Sequence, residues 1–285
     1  TAPVERRSVA HEVHMVGKVA LDETRVATIT SWVAGRLDRL YVDYTGVNVR
    51  ADDHLVEIYS PTLYTAQQEL LQAIETAKRL EGSSHDLLKS TSDQTVVAAR
   101  EKLRLYGVDD DQIRAIVERG SPDELVTVRA PIGGVVVHKN ALEGMYVEEG
   151  SPIYTIADLG KVWVLLDAYE SDLAWLRYGQ DVEFGIEAYP GEIFHGRVAF
   201  IDPLLDDRTR TVKVRLNVDN TDGRLKPDMF VSATAHAVLT EHGKVVDRDL
   251  AGKWMCPMHP EIVADAQVDC AECGMDLVPA SELGF

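Results

Sequence analysis

Gly35-Arg-Leu-Asp-Arg-Leu-Tyr-Val-Asp-Tyr-Thr-Gly46-Val-Asn-Val49 and Gly134-Val-Val-Val-His-Lys-Asn-Ala-Leu-Glu-Gly144-Met-Tyr-Val147 are two versions of one pattern, offset by 98 to 99 residues. Each opens on a glycine and an alternating apolar strand. A turn glycine follows, then a valine three residues later, and then a second short strand, Leu55-Val-Glu-Ile58 or Ile153-Tyr-Thr-Ile156. Alternation marks strands with one buried face, and the glycines mark turns. A β-pattern that occurs twice implies two halves of one β-domain.

The paired halves resemble those of a biotinyl/lipoyl-type sandwich. A carrier domain of that kind would display a lysine on the turn joining its halves. No Met-Lys-Met or Asp-Lys-Ala turn is present, and the halves are separated by an insert from Pro61 to about Gly120. The sandwich is therefore expected to act as a scaffold for the insert. Leu63, Ala66, Leu70, Ala73, Ala77 and Leu80 recur at steps of three and four, as do Val96, Ala99, Leu103 and Tyr106. Such a seam predicts an antiparallel helical hairpin. Gly82-Ser83-Ser84 is the expected break, with Ser92 or Asp93 capping the second helix. Asp109 to Glu118 is the expected third helix, its three leading aspartates suiting a helix N-terminus. Helices of about twenty residues reach about 30 Å, enough to project from the sandwich.

From Lys161 to Ala237 the pattern is all β. The expected strands are Val162 to Ala168, Val182 to Ile186, His195 to Ile201, Thr211 to Val218 and Met229 to Ala235, with turns at Pro190-Gly191 and Asp222-Gly223. Short strands in this succession predict a small barrel. Ser8 to Ala20 is also strand-like and is expected to return to it. The net charge of −18 leaves no basic stripe for nucleic acid. No apolar run approaches the eighteen residues of a membrane span. The chain starts at Thr1 rather than Met, as expected of a processed or truncated chain, so a signal or lipid anchor upstream stays open.

All three cysteines lie near the C-terminus, in Trp254-Met-Cys256-Pro-Met258-His259-Pro260 and Cys270-Ala-Glu-Cys273-Gly-Met275. An odd number confined to one short stretch argues for metal ligation over a disulfide framework. Cys256, Cys270 and Cys273 are candidate thiolate ligands and His259 the natural fourth, a Cys3His tetrahedron suited to zinc. Copper(I) or silver(I) would need two or three thiolates, with Met258 and Met275 as candidate thioether ligands. An oxidised Cys270–Cys273 pair is the alternative. The polar stretch 240–253 is expected to be a linker, which makes the module a flexible accessory. His195, His236 and Met229 are expected to be surface or packing residues of the barrel. Asp206-Asp207 is expected in a loop.

Several motifs, in order, carry a closer resemblance: Tyr41-Val-Asp-Tyr-Thr-Gly46, Glu57-Ile-Tyr-Ser-Pro61, Ala130-Pro-Ile-Gly-Gly134, Glu143-Gly-Met-Tyr-Val147, Val162-Trp-Val164, Tyr169-Glu-Ser-Asp172, Ile201-Asp-Pro203, Arg208-Thr-Arg-Thr-Val-Lys-Val-Arg215 and Gly223-Arg-Leu-Lys-Pro-Asp-Met-Phe230. With a hairpin inside a split sandwich, they resemble the periplasmic adaptors, or membrane fusion proteins, of resistance-nodulation-division (RND) heavy-metal efflux systems, the CusB-like branch. The C-terminal stretch resembles a small heavy-metal-binding domain, with Trp254 at the usual aromatic position and Ala271 in place of a proline.

The resemblance implies a mixed α and β, elongated multidomain fold. Its segments would be N-terminal strand at 1–22, lipoyl-like halves at 23–60 and 121–158, α-helical hairpin at 61–120, β-barrel at 159–237, membrane-proximal remnant or linker at 238–253 and heavy-metal-binding domain at 254–280. It implies a periplasmic protein at the inner membrane of a Gram-negative envelope, assembling as a ring between an inner-membrane RND transporter and an outer-membrane channel. The hairpin tip, around Gly82 to Ser92, would face the channel. No catalytic residue and no organic cofactor are expected; the bound species would be a heavy-metal ion, zinc or copper(I)/silver(I). Such adaptors are thought to receive metal on N-terminal methionines. This chain offers only His11, His14 and Met15 there, with His11 and Met15 on one strand face and His14 on the other. A metal chaperone or buffer, its scaffold only tethering the module, is the alternative function.

Overall fold

In a computed structural model, the structure describes residues 10–80, 86–239, 245–246, 250 and 252–283. The chain forms two compact units, one of residues 24–158 and one of residues 1–23 together with 159–285. The expected break at Gly82-Ser83-Ser84, and most of the expected linker, lie outside the described residues.

The first strand, β1 (Ala10–Leu21), belongs to the second unit. The inserted unit then begins with β2 (Val26–Thr30), β3 (Gly35–Leu40), β4 (Asn48–Val49) and β5 (His54–Tyr59). Helices α1 (Pro61–Leu80), α2 (Asp86–Leu105) and α3 (Asp110–Arg119) follow. The second half is β6 (Leu125–Arg129), β7 (Gly134–Lys139), β8 (Tyr146–Val147) and β9 (Pro152–Ala157). The sequence repeat is therefore structural: β3, β4 and β5 recur as β7, β8 and β9. Two four-stranded sheets result, in the orders β2-β9-β7-β4 and β6-β5-β3-β8. Each half lends a two-residue strand to the other: Asn48 pairs with Val135 and Gly35 with Val147. Gly46 and Gly144, the repeated turn glycines, have φ of 87° and 80°, a left-handed conformation that favours glycine. Leu37, Val56, Ile58, Val136, Tyr154 and Ile156 are buried between the sheets.

The base of the hairpin joins that core through Leu63, Ala66, Leu70 and Leu103. The amide of buried Gln67 accepts from the Asp123 N–H at 2.6 Å and donates to its carbonyl at 3.1 Å, which fixes where the helices leave the sheet. Beyond Leu70 the two long helices pack on each other through half-buried Leu71, Ile74, Val96 and Ala99. Neither Ser92 nor Asp93 caps α2, because the helix begins at Asp86 and both lie inside it. The helix is already formed before them: the Ser90 and Thr91 hydroxyls bond back to the Leu87 carbonyl, at 3.1 and 2.8 Å, as side chains within a helix do. Asp109 is the N-cap of α3 in a reciprocal capping box with Gln112, and Gly120 ends the helix in the left-handed conformation.

In the second unit, β1 joins β10 (Lys161–Tyr169), β11 (Asp181–Ile186), β12 (Phe194–Asp206), β13 (Thr211–Asp219) and β14 (Phe230–Leu239). The order is β1-β10-β13-β12-β11-β14, and β14 pairs back to β1, so six strands close a barrel. The expected return of the N-terminal strand is thus observed. Strand β12 runs past its expected end at Ile201 to Asp206. Its register shifts between Ile201 and Leu205, so Pro203 sits at an irregularity where its missing N–H breaks no ladder. Val19, Val164, Leu166, Phe184, Val198, Val214, Leu216 and Ala235 fill the interior. A short strand β15 (Val245–Val246) extends the sheet beside β14. The chain then forms β16 (Trp254–Met255), β17 (Val263–Ala264) and β18 (Val278–Pro279), a three-stranded sheet in the order β17-β16-β18. No described helix is long and apolar enough to cross a membrane.

Candidate metal centre

Two turns project from the small C-terminal sheet. The first follows β16: the Ile262 N–H donates to the His259 carbonyl at 3.0 Å, and the Cys256 N–H donates to the Ile262 carbonyl at 3.2 Å. The second is the tip of a hairpin: the Gly274 N–H donates to the Cys270 carbonyl and the Cys270 N–H to the Met275 carbonyl, at 2.8 and 2.7 Å. Gly274, with φ of 71°, makes that tight turn accessible. The two turns face each other and bring four side chains together.

The donor atoms of Cys256, His259, Cys270 and Cys273 all lie within 4.8 Å of one another. The Cys256 and Cys273 sulfurs are 3.6 Å apart, and His259 Nδ1 is 3.7 Å from Cys256 Sγ and 3.6 Å from Cys270 Sγ. A tetrahedral zinc ion with ordinary bond lengths would set its thiolates about 3.8 Å apart and a thiolate and an imidazole about 3.6 Å apart. The donor set therefore fits a four-coordinate soft or borderline cation with little rearrangement. The three cysteines are free thiols, so the alternative Cys270–Cys273 disulfide is not formed. Met258 is 59% exposed and Met275 36%, so both thioethers belong to residues at the module surface.

The thiols differ electrostatically. Burial pushes the Cys256 thiol well up, although the Met258 and His259 N–H groups partly offset it. Burial acts in the same sense on Cys270. There, backbone N–H groups of Cys273 and Glu272, with the neighbouring thiols, outweigh it and bring the group down to about 7. Cys270 thus gives up its proton more readily than Cys256.

The N-terminal candidates do not converge. Met15 is buried inside the barrel. His11 lies against Trp175, with ring centroids 4.5 Å apart and the planes tilted by 40°. His14 lies at the surface, its Nδ1 3.1 Å from the Thr234 hydroxyl. His236 is also at the surface, beside Glu12 and Glu183 at 3.8 and 4.0 Å. Among the described residues, the C-terminal set is the one His, Cys and carboxylate group whose donors converge.

Sequence spacing did not foreshadow the residues that hold the module. The Tyr178 hydroxyl donates to the Cys256 carbonyl at 2.7 Å. The Arg197 guanidinium faces the Pro260 carbonyl at 3.4 Å, and Lys161 pairs with Glu272 at 3.3 Å. The Tyr178 ring packs against Leu250, Met255 and Ala280. Its hydroxyl is pushed well above the usual tyrosine range, chiefly by burial, and stays a donor. The expected flexible accessory is instead seated on the barrel.

Comparison with known proteins gives the same division. A family model described as the CusB barrel-sandwich hybrid domain matches residues 26–157. A CusB-like β-barrel domain matches residues 161–238, and a heavy metal binding domain matches residues 253–280. The chain is 29% identical over 230 residues to the cation efflux system protein CusB of Escherichia coli K12, covering 80% of this chain and 53% of that protein. It is 27% identical over 229 residues to the putative membrane fusion protein SilB of Salmonella typhimurium, covering 80% and 50%. The chain spans about half the length of these curated relatives. The crystal structure of ZneB from Cupriavidus metallidurans is similar with a TM-score of 0.54 and 27% identity, covering 80% of this chain and 99% of that one.

Proposed function

The chain belongs to the CusB-like membrane fusion proteins and carries a heavy metal binding domain as well, and from that premise we propose that it is the periplasmic adaptor of a tripartite pump exporting heavy-metal ions. In this role it bridges an inner-membrane RND transporter and an outer-membrane channel, as several copies in a ring, and performs no catalysis. Cys256, His259, Cys270 and Cys273 bind the metal. The observation that carries the reading is the convergence of these four donors on a scaffold of adaptor type. A preformed Cys3His tetrahedron favours a zinc-type divalent ion over two- or three-coordinate copper(I).

Truncation after Leu239 tests the division of labour. The shortened chain is expected to keep crosslinking to the inner-membrane transporter and to lose high-affinity zinc binding. If truncation abolishes metal resistance while the whole chain never crosslinks to a transporter, the protein is a metal buffer instead. A second expectation concerns pH. Near neutrality Cys256, whose thiol burial pushes well up, must shed a proton on metal binding, and Cys270 sheds part of one. Apparent zinc affinity should therefore fall at least about tenfold per pH unit as pH drops from 7 to 6. Chelator competition at a series of pH values measures the slope, and a flat profile would exclude thiolate ligation.

A further inference from the structure

The two turns that supply the donors are anchored very differently. The first, carrying Cys256 and His259, is held at both ends by the barrel: Tyr178 grips the Cys256 carbonyl, and Arg197 faces the Pro260 carbonyl. Arg197 is itself fixed by Asp181 at 2.8 Å. The apolar contact of Tyr178 with Leu250, Met255 and Ala280 lies under the same strand, β16. The second turn, carrying Cys270 and Cys273, is tied mainly to itself. Its hairpin closes through the Asp269–Asp276 bridge and the Leu277 N–H to the Val268 carbonyl. Among the described residues its ion pair to the barrel is the partly exposed Lys161–Glu272 pair, a kind of bond that contributes little. The ligands follow suit: Cys256 and Cys270 are 0% and 2% exposed, whereas Cys273 is exposed.

Resting on the metal-binding reading above, we infer that the module works while docked, with the Cys256–His259 turn as a fixed half clamped by Tyr178 and the Cys270–Cys273 turn as a moving half. Cys273 is the exchange ligand through which a cation enters and leaves. An incoming soft donor, such as the thiolate of an acceptor, reaches the cation from the Cys273 side. As its bond to the metal forms, the bond from Cys273 Sγ breaks, and Cys273 departs as a thiolate that solvent protonates. The oxidation state of the metal is unchanged. Cys256 and Cys270 release last because neither is open to an attacking group.

Alkylation of the full chain by iodoacetamide, read residue by residue by mass spectrometry, tests this with and without zinc. In the metal-free chain Cys273 should be modified at least tenfold faster than Cys256. In the zinc-loaded chain Cys273 should again react first. Tyr178→Phe keeps the ring and removes the hydroxyl. It should raise the rate at Cys256 five- to tenfold and accelerate zinc transfer to a chelator, with Cys273 labelling and the barrel melting temperature unchanged. Equal rates at Cys256 and Cys273, or an unchanged Cys256 rate in Tyr178→Phe, overturns the proposal. A chain that takes up no zinc but shows the same metal-free pattern refutes the metal-binding reading and leaves the docking intact.

Discussion

Replacing Cys256 by Ser is expected to weaken zinc binding at least a thousandfold and to unfold residues 252–283 while the barrel stays folded. The module is too small to be held by its own burial alone; without metal it is held by its seat on the barrel through Tyr178 and Arg197, which a polar group at Cys256 would undo. Its buried side chains are few: Cys256, Cys270 and Leu277 in one cluster, Leu250, Met255 and Ala280 in the other, and Pro260. Metal ligation in small zinc modules is worth on the order of 10 kcal/mol at neutral pH, which exceeds what such clusters provide. Cys256 is the ligand that links the donor set to β16 and, through its carbonyl, to Tyr178. A serine hydroxyl there is a poor ligand for a soft cation and leaves a polar group in a dry site. Zinc competition measures the affinity. Hydrogen exchange measures the unfolding, which should appear as rapid amide exchange over 252–283 with strands β1 and β10 to β14 still protected. An affinity within tenfold of the parent would show that Cys256 is not a ligand.

The second large effect is expected at Gly17. Strand β1 closes the barrel by pairing on both edges, with Leu166 of β10 opposite Gly17 on one side and Val231 of β14 on the other. A β-carbon added to Gly17 would lie 2.0 Å from the Leu165 carbonyl oxygen, a backbone atom that cannot swing aside. Gly17→Ala should therefore cost about 3 kcal/mol as the closing strand is forced outward. The barrel transition should fall by about 10 °C in calorimetry. Gly46→Ala is the contrasting case. Its β-carbon would meet nothing within 4 Å, and only the left-handed backbone opposes it, at about 1 kcal/mol. Equal melting temperatures for Gly17→Ala and the parent would show that β1 is not seated in this register.

Much of the fold was legible because its signals are local. Alternation and turn glycines place β3, β5, β7 and β9 directly, and the heptad-like seam places α1 and α2. The crossing of β4 and β8 between halves was not legible, because two-residue strands carry no periodicity. The start of α2 was misplaced since Ser92 and Asp93 are residue types that favour caps, whereas the helix already begins at Asp86 and the Ser90 and Thr91 hydroxyls just before them bond back into it. At the metal site the four ligands follow from spacing and chemistry. Tyr178, Arg197 and Lys161 do not, since 78, 63 and 111 residues separate them from their partners in the module.

The topology of β1 carries a consequence for how the protein is made. Its partners Lys161 to Tyr169 and Phe230 to Leu239 are synthesised only after the whole of 24–158. The sandwich is itself interrupted by the hairpin, so the chain nests one element within another. The order of completion is then set from the inside outward. The α1–α2 pair needs only its own neighbours, the sandwich follows when β9 emerges, and the barrel waits for β14. During that interval β1 is an unpaired strand with both edges open. This is the stage at which pairing with the wrong copy is most probable, and it is also where a chaperone that binds extended apolar strands would have its greatest effect.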